Sequence, residues 1–200
     1  MKSWLCASAL SAGFAATSAS GQTQAHAKSA NELILAGLRP GRSTLAQAQK
    51  LFPANMRQTS LESEDAVQWE DTCRGTAVRL EVDEKKVIQS VTATWLGLKQ
   101  GDCRGNGLRN GPLGLSKLKT GHGLALNDPC QRITELYGPP NSHGPSTRAG
   151  RELQLMFYAF DRAGSDVPQV MEVSCDLARK GSRDDFSGRV VEITLAFPSL

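Results

Sequence analysis

The chain has 200 residues, 40% hydrophobic and 22% charged, with 23 basic against 20 acidic side chains and a net charge of +3, an ordinary globular mixture. No run of about 18 apolar residues follows the N-terminal region, which argues against a membrane-spanning helix in the body of the chain. The near balance of charge argues against a polyanion such as nucleic acid as an obligatory partner.

Residues 1–27 read as a signal peptide: Lys2 supplies a positive start, Trp4 to Ala16 a mostly apolar run, and small residues follow. Ala25-His26-Ala27 fits the small-x-small cleavage rule, and Ser18-Ala19-Ser20 is the earlier alternative. Cys6 precedes most of the apolar run, whereas a lipid-anchor cysteine would follow it, so no membrane anchor is expected. The sequence therefore predicts a periplasmic or secreted monomer. Four cysteines remain beyond the signal, Cys73, Cys103, Cys130 and Cys175, an even number in a chain bound for an oxidising space, which reads as two disulfides. No two of them have the close spacing of a zinc knuckle, and no histidine pair stands beside them, so no metal or other cofactor is expected.

The first predicted unit covers residues 28–98. A short helix is predicted near Asn31 to Ala36, then the pair Gly37-Leu38, a turn at Gly41, and a helix capped by Ser43 that places Leu45, Ala48, Leu51 and Phe52 on one face before Pro53 stops it. A strand over Ala66 to Asp71 follows. Val78, Leu80 and Val82 alternate with Arg79 and Glu81, and Val91, Ala93 and Trp95 alternate with Thr92 and Thr94, the period of half-buried antiparallel strands.

Residues 99–120 are rich in glycine and basic residues, with Lys99, Arg104, Arg109, Lys117 and Lys119 against Asp102, and read as a solvated linker. Residues 121–200 then repeat the first pattern. Gly123-Leu124 matches Gly37-Leu38, and Asn127 stands near the place of Gly41. Asp128 takes the cap position with Pro129 behind it, and Cys130, Ile133, Leu136 and Tyr137 align with Leu45, Ala48, Leu51 and Phe52. Gly138-Pro139-Pro140 ends this helix. Strands are predicted over Glu152 to Phe160, around Met171, Val173, Cys175 and Leu177, and through Val191, Ile193, Leu195 and Phe197. The expected fold is α+β: two tandem repeats of a short helical element, each packed on its own antiparallel sheet of three to four strands.

That expectation orders the cysteines, of which four permit three pairings. Cys130 lies on the apolar face of the second helix and Cys175 on the apolar face of a strand in the same unit, so helix-on-sheet packing brings Cys130 to Cys175. In the first unit the strands bring Cys73 and Cys103 to one end, giving a Cys73–Cys103 pair.

The succession of Gly-Leu, turn, capped short helix ending in Leu136-Tyr137-Gly138-Pro139-Pro140, and antiparallel strands resembles a bacterial envelope module. It is found singly in the small lipoprotein of the outer-membrane β-barrel assembly machine (BamE/SmpA-like) and in tandem in the β-lactamase inhibitory proteins. The stretch from Thr120-Gly121-His122-Gly123-Leu124 to Pro140 carries the likeness best. The resemblance implies a non-catalytic, inhibitor-like protein that binds another protein of the envelope or the cell exterior through paired sheets. It transfers no binding residue position by position.

Catalytic signatures are sparse. There is no Gly-x-Ser-x-Gly elbow, phosphate loop or dinucleotide fingerprint. The alternative to a binding module is an envelope hydrolase or metal-dependent enzyme using His122, His143 and Asp128 as acid–base or metal-binding groups. Both histidines sit in glycine-bearing loops, which favours surface turns. The acidic pairs Glu62 with Glu64 and Asp184 with Asp185 offer too few oxygens for a calcium loop. For a binding surface, the candidate anchors are the large aromatics Trp69, Trp95, Tyr158 and Phe160. Around Phe157 and Tyr158 both strand faces are apolar, and one of them must be covered by the sister unit or by a partner.

Overall fold

The structure, a computed structural model, describes residues 31–52, 57–60, 65–71, 75–95, 117–148, 150–160, 170–176 and 188–197. The signal segment 1–27, most of the linker, the Cys73–Cys103 pair, Glu62, Glu64, Asp184 and Asp185 lie outside the described residues. The elements in chain order are α1 (Leu45–Leu51), β1 (Arg57–Ser60), β2 (Ala66–Asp71), β3 (Thr76–Val82), β4 (Ile88–Trp95), α2 (Gln131–Tyr137), β5 (Ser142–Arg148), β6 (Arg151–Ala159), β7 (Val170–Asp176) and β8 (Arg189–Ala196).

The strands form one antiparallel sheet in the order β1-β2-β3-β4-β8-β7-β6-β5. This corrects the expected fold class: in place of two helix-on-sheet units with separate three- to four-stranded sheets, a single eight-stranded sheet dominates, and the two helices have seven residues each. The reason lies at β4 and β8. Each ends a meander, and an end strand presents a row of unpaired N–H and C=O groups. Pairing β4 with β8, Thr92 opposite Thr194 and Ala93 opposite Ile193, satisfies both rows at once. Strand periodicity reports which face is buried and carries no information about which edge meets which.

Two strands, β1 and β5, have no hydrophobic alternation and were not expected. β5 runs Ser-His-Gly-Pro-Ser-Thr-Arg and forms the outer edge, pairing only with β6. Pro145 is tolerated there because an edge strand need not donate on its free side.

The helices begin differently from expectation. α1 starts one residue later than predicted, with a reciprocal cap in which the Thr44 side chain accepts from the Gln47 N–H and Gln47 Oε1 accepts from the Thr44 N–H at 3.0 Å. Ser43 instead closes the preceding turn, accepting from Arg39 N–H at 3.0 Å. α2 has Cys130 at the cap position without a side-chain cap, because Asp128 is engaged upstream, accepting from Ala125 N–H at 2.9 Å. No helix forms over Asn31 to Ala36. Ala36 and Gly37 are both left-handed (φ 54 and 79) and turn the chain so that Leu35 and Leu38 exchange N–H···O bonds of 2.9 Å. This turn docks on the far end of the predicted linker through Ala36 N–H to Lys119 O at 3.0 Å. Leu118 and Thr120, inside the segment read as solvated, are buried.

One sheet face carries Val78, Leu80, Val91, Ala93, Val173, Ile193 and Leu195 into a continuous core closed by Leu35, Leu38, Ala48, Phe52, Leu118, Leu124, Ile133 and Tyr137. The sulfurs of Cys130 and Cys175 lie 2.10 Å apart within it, a disulfide that ties the start of α2 to β7 across 45 residues. Among the described residues, no helix is long and apolar enough to cross a membrane.

Candidate functional site

The opposite face of the sheet is set by the same alternation. Residues between the core positions all point away from the helices: Arg79 opposite Thr92, Glu81 opposite Ser90, Thr92 opposite Thr194, and Thr94 opposite Glu192. Together they line an open cleft of about 560 Å³ across the β4–β8 seam. Its polar groups bond across strands. Thr92 and Thr194 hydroxyls meet at 3.0 Å, Thr94 Oγ1 donates to Glu192 Oε2 at 3.1 Å, Ser90 Oγ donates to Glu81 at 3.0 Å, and Arg79 pairs with Glu81 at 3.0 Å.

Arg148 shows the shape of this face. It sits on the edge strand β5, yet its guanidinium pairs with Glu192 on β8, three strand positions away. In a flat sheet those strands would lie about 14 Å apart, and Glu192 stands level with Gly144, four residues from Arg148, so the two residues would be roughly 19 Å apart, beyond the combined reach of one arginine and one glutamate. The sheet therefore curls toward its uncovered side, and the cleft is the inside of the curl. Beside the cleft, Leu155 and Phe157 on β6 project to the same face, Leu155 opposite Ser174 and Phe157 opposite Glu172, and both remain part-exposed.

The aromatic anchors expected from the sequence require correction. Trp69, Tyr158 and Phe160 are 1%, 0% and 6% exposed, and Trp95 packs half-buried against the same core. All four belong to the face covered by the helices, where Trp69 meets Phe52 with ring centroids 5.3 Å apart and the Tyr158 hydroxyl donates to Gly138 O at 3.0 Å. Among the described residues, the aromatic on the open face is Phe157, next to Tyr158 in β6. A strand of period two with apolar residues in both phases does not say which phase faces solvent.

The enzyme candidates are held by different neighbours. His143 Nδ1 lies 3.1 Å from Gln154 Nε2. Asp128 accepts from Ala125 and pairs with Arg132 at 3.2 Å. His122 joins a cluster centred on a residue that sequence reasoning missed, Glu32. Among the described residues, no group of three His, Cys, Asp or Glu side chains is placed to hold a metal ion.

Glu32 is 1% exposed, and its carboxylate is surrounded by donors. It accepts from the N–H groups of Leu33 at 2.8 Å and of Ile34, Gly121 and His122 at 3.0 Å, from the Tyr137 hydroxyl at 2.7 Å, and from His122 Nδ1 at 2.9 Å. Burial alone would raise its pKa. The bonds from Tyr137, Ile34 and His122 outweigh burial and hold the carboxyl below its ordinary value of 4.5. Burial pushes the Tyr137 hydroxyl upward, keeping it a donor, and Thr120 Oγ1 stands 2.7 Å from it. Gly121 is required here, since a Cβ would lie 2.6 Å from Glu32 Oε1. The cluster clasps the turn before α1 onto the loop before α2. No periodic pattern marked Glu32, because its partners are backbone amides brought together only by folding.

No protein-family model matches the chain, and neither does any curated protein. Among solved structures, a DUF4309 family protein (YjgB) from Bacillus subtilis is similar, with 13% identity, a TM-score of 0.42, and coverage of 84% of this chain and 88% of that one.

Proposed function

We propose that the chain is an exported, non-catalytic protein-binding module, inhibitor-like in the sense implied by its resemblance to the β-lactamase inhibitory proteins, that receives a partner protein in the curl of its sheet. The observation that carries this reading is the composition of the uncovered face. Part-exposed Leu155 and Phe157 stand beside a polar cleft crossed by Thr92, Thr94 and Thr194, the combination of apolar anchor and polar surround found at protein interfaces. The Cys130–Cys175 bond supports a periplasmic or secreted location, where disulfides persist.

Site-specific photo-crosslinking tests it. A crosslinking residue at position 157 or 92 is expected to trap one discrete protein from an envelope or culture extract, while one at Glu135, on α2 across the sheet, traps none. Equal trapping from all three positions, or none from any, would overturn the reading.

A further inference from the structure

We propose that Glu192 is the receptor for a basic side chain of the docked protein, and that Arg148 is an internal occupant which that side chain displaces. The inference rests on the reading above and adds the chemistry of the partner.

The Glu192 side chain is 10% exposed. A carboxylate so buried gives up solvation and needs charge and hydrogen-bond compensation from the protein. Here compensation has two sources of unequal permanence. Thr94, on the neighbouring strand at the seam, donates one hydrogen bond within the sheet. The charge comes from Arg148, whose side chain is 63% exposed and projects from the end of the edge strand β5. Holding a long side chain that is mostly in solvent in one geometry costs conformational entropy, and Arg148 itself would be well hydrated if released. The guanidinium is thus the replaceable member, and a guanidinium from another protein satisfies Glu192 equally well.

Charge in the cleft points the same way. It contains two guanidiniums, Arg79 and Arg148, and three carboxylates, Glu81, Glu172 and Glu192. Arg79 is taken by Glu81 and Arg148 by Glu192. Glu172 lies opposite Thr194 on the next strand and has no ion-pair partner among the described residues. An incoming arginine therefore meets one carboxylate with an exchangeable occupant and a second with none. Arginine fits better than lysine because its planar fork can hold both oxygens of a carboxylate.

The test uses the mature protein and N-acetyl-arginine methylamide as the probe, followed by amide shifts in NMR. Arg148→Ala is expected to bind the probe saturably, with shifts centred on Thr94, Glu192 and Thr194. Wild type should bind at least about tenfold more weakly because Arg148 competes. Adding Glu192→Gln should abolish the shifts, and the neutral N-acetyl-norleucine methylamide should give none. Arg148→Gln serves as a second background that keeps the side-chain bulk. Absence of saturable shifts in both Arg148 backgrounds, persistence of them with Glu192→Gln, or equal shifts from norleucine would overturn the proposal. Crosslinking at position 157 without probe binding defeats this inference alone, whereas probe binding without crosslinking defeats the docking reading.

Discussion

The two faces of this sheet solve opposite problems with the same kinds of residue. On the covered face, polar groups are enclosed and densely bonded: Glu32 takes six hydrogen bonds at one buried point, and Cys130 is bonded to Cys175. On the open face, hydroxyls, carboxylates and guanidiniums spread across the β4–β8 seam and remain within reach of solvent. The contrast teaches that a dense hydrogen-bond cluster with a histidine in it need not mark a reactive site. Here it joins the segment around Glu32 to the loop around His122, and in the proposed reading the sparser polar surface is the one that keeps bonding capacity for another molecule.

On that division, changes on the covered face are expected to cost stability and leave docking intact, and changes on the open face to do the reverse. The largest stability loss is expected from Cys130→Ala with Cys175→Ala, about 4 kcal/mol for a loop of this size in the chain-entropy account, read as a shift in the denaturation midpoint. Glu32→Ala comes next, at about 3 kcal/mol, because buried donors lose their acceptor. Glu32 also sets a dependence on pH. Its folded-state pKa is lowered from 4.5, so its contribution is fully present above that value and is lost as pH falls through the lowered one. Denaturation curves between pH 5 and acid should therefore fall more steeply for wild type than for Glu32→Gln. Tyr137→Phe removes one of the bonds to Glu32 and is expected to cost about 1 kcal/mol. On the open face, Phe157→Ala and Thr194→Val should move stability by less than about 0.5 kcal/mol yet reduce crosslinking from position 92 severalfold. A reversal, with docking lost in Tyr137→Phe and preserved in Phe157→Ala, would break the comparison.

Much of the covered face was legible in the sequence. The period of three and four placed Ala48, Phe52, Ile133 and Tyr137 on buried helix faces, and the period of two placed Val78, Leu80, Val91, Val173 and Ile193 in the core. Those patterns are written into a single segment at a time. Leu51 departs from its pattern and is 43% exposed, since a seven-residue helix has too few turns for every position on its apolar stripe to reach the sheet. The polar strand β5 was invisible because an edge strand needs no apolar alternation, and with it went the means of seeing Arg148 over the cleft. Periodicity does not separate Phe157 from Tyr158, because both phases of β6 are apolar.

The sequence by itself determined most of the local elements: the two short helices, the apolar strands β2, β3, β4, β6, β7 and β8, the turns at Gly41 and Asn127, and the buried side of the strands that alternate cleanly. Propensity and periodicity act between near neighbours, so one chain read alone reveals them. Only the tertiary structure decided that two meanders merge at β4 and β8, that the sheet curls until Arg148 reaches Glu192, and that Glu32 meets His122 and Tyr137. Each of those events joins groups far apart in sequence through backbone hydrogen bonds or buried charge, and such bonds are indifferent to the order in which their partners occur along the chain.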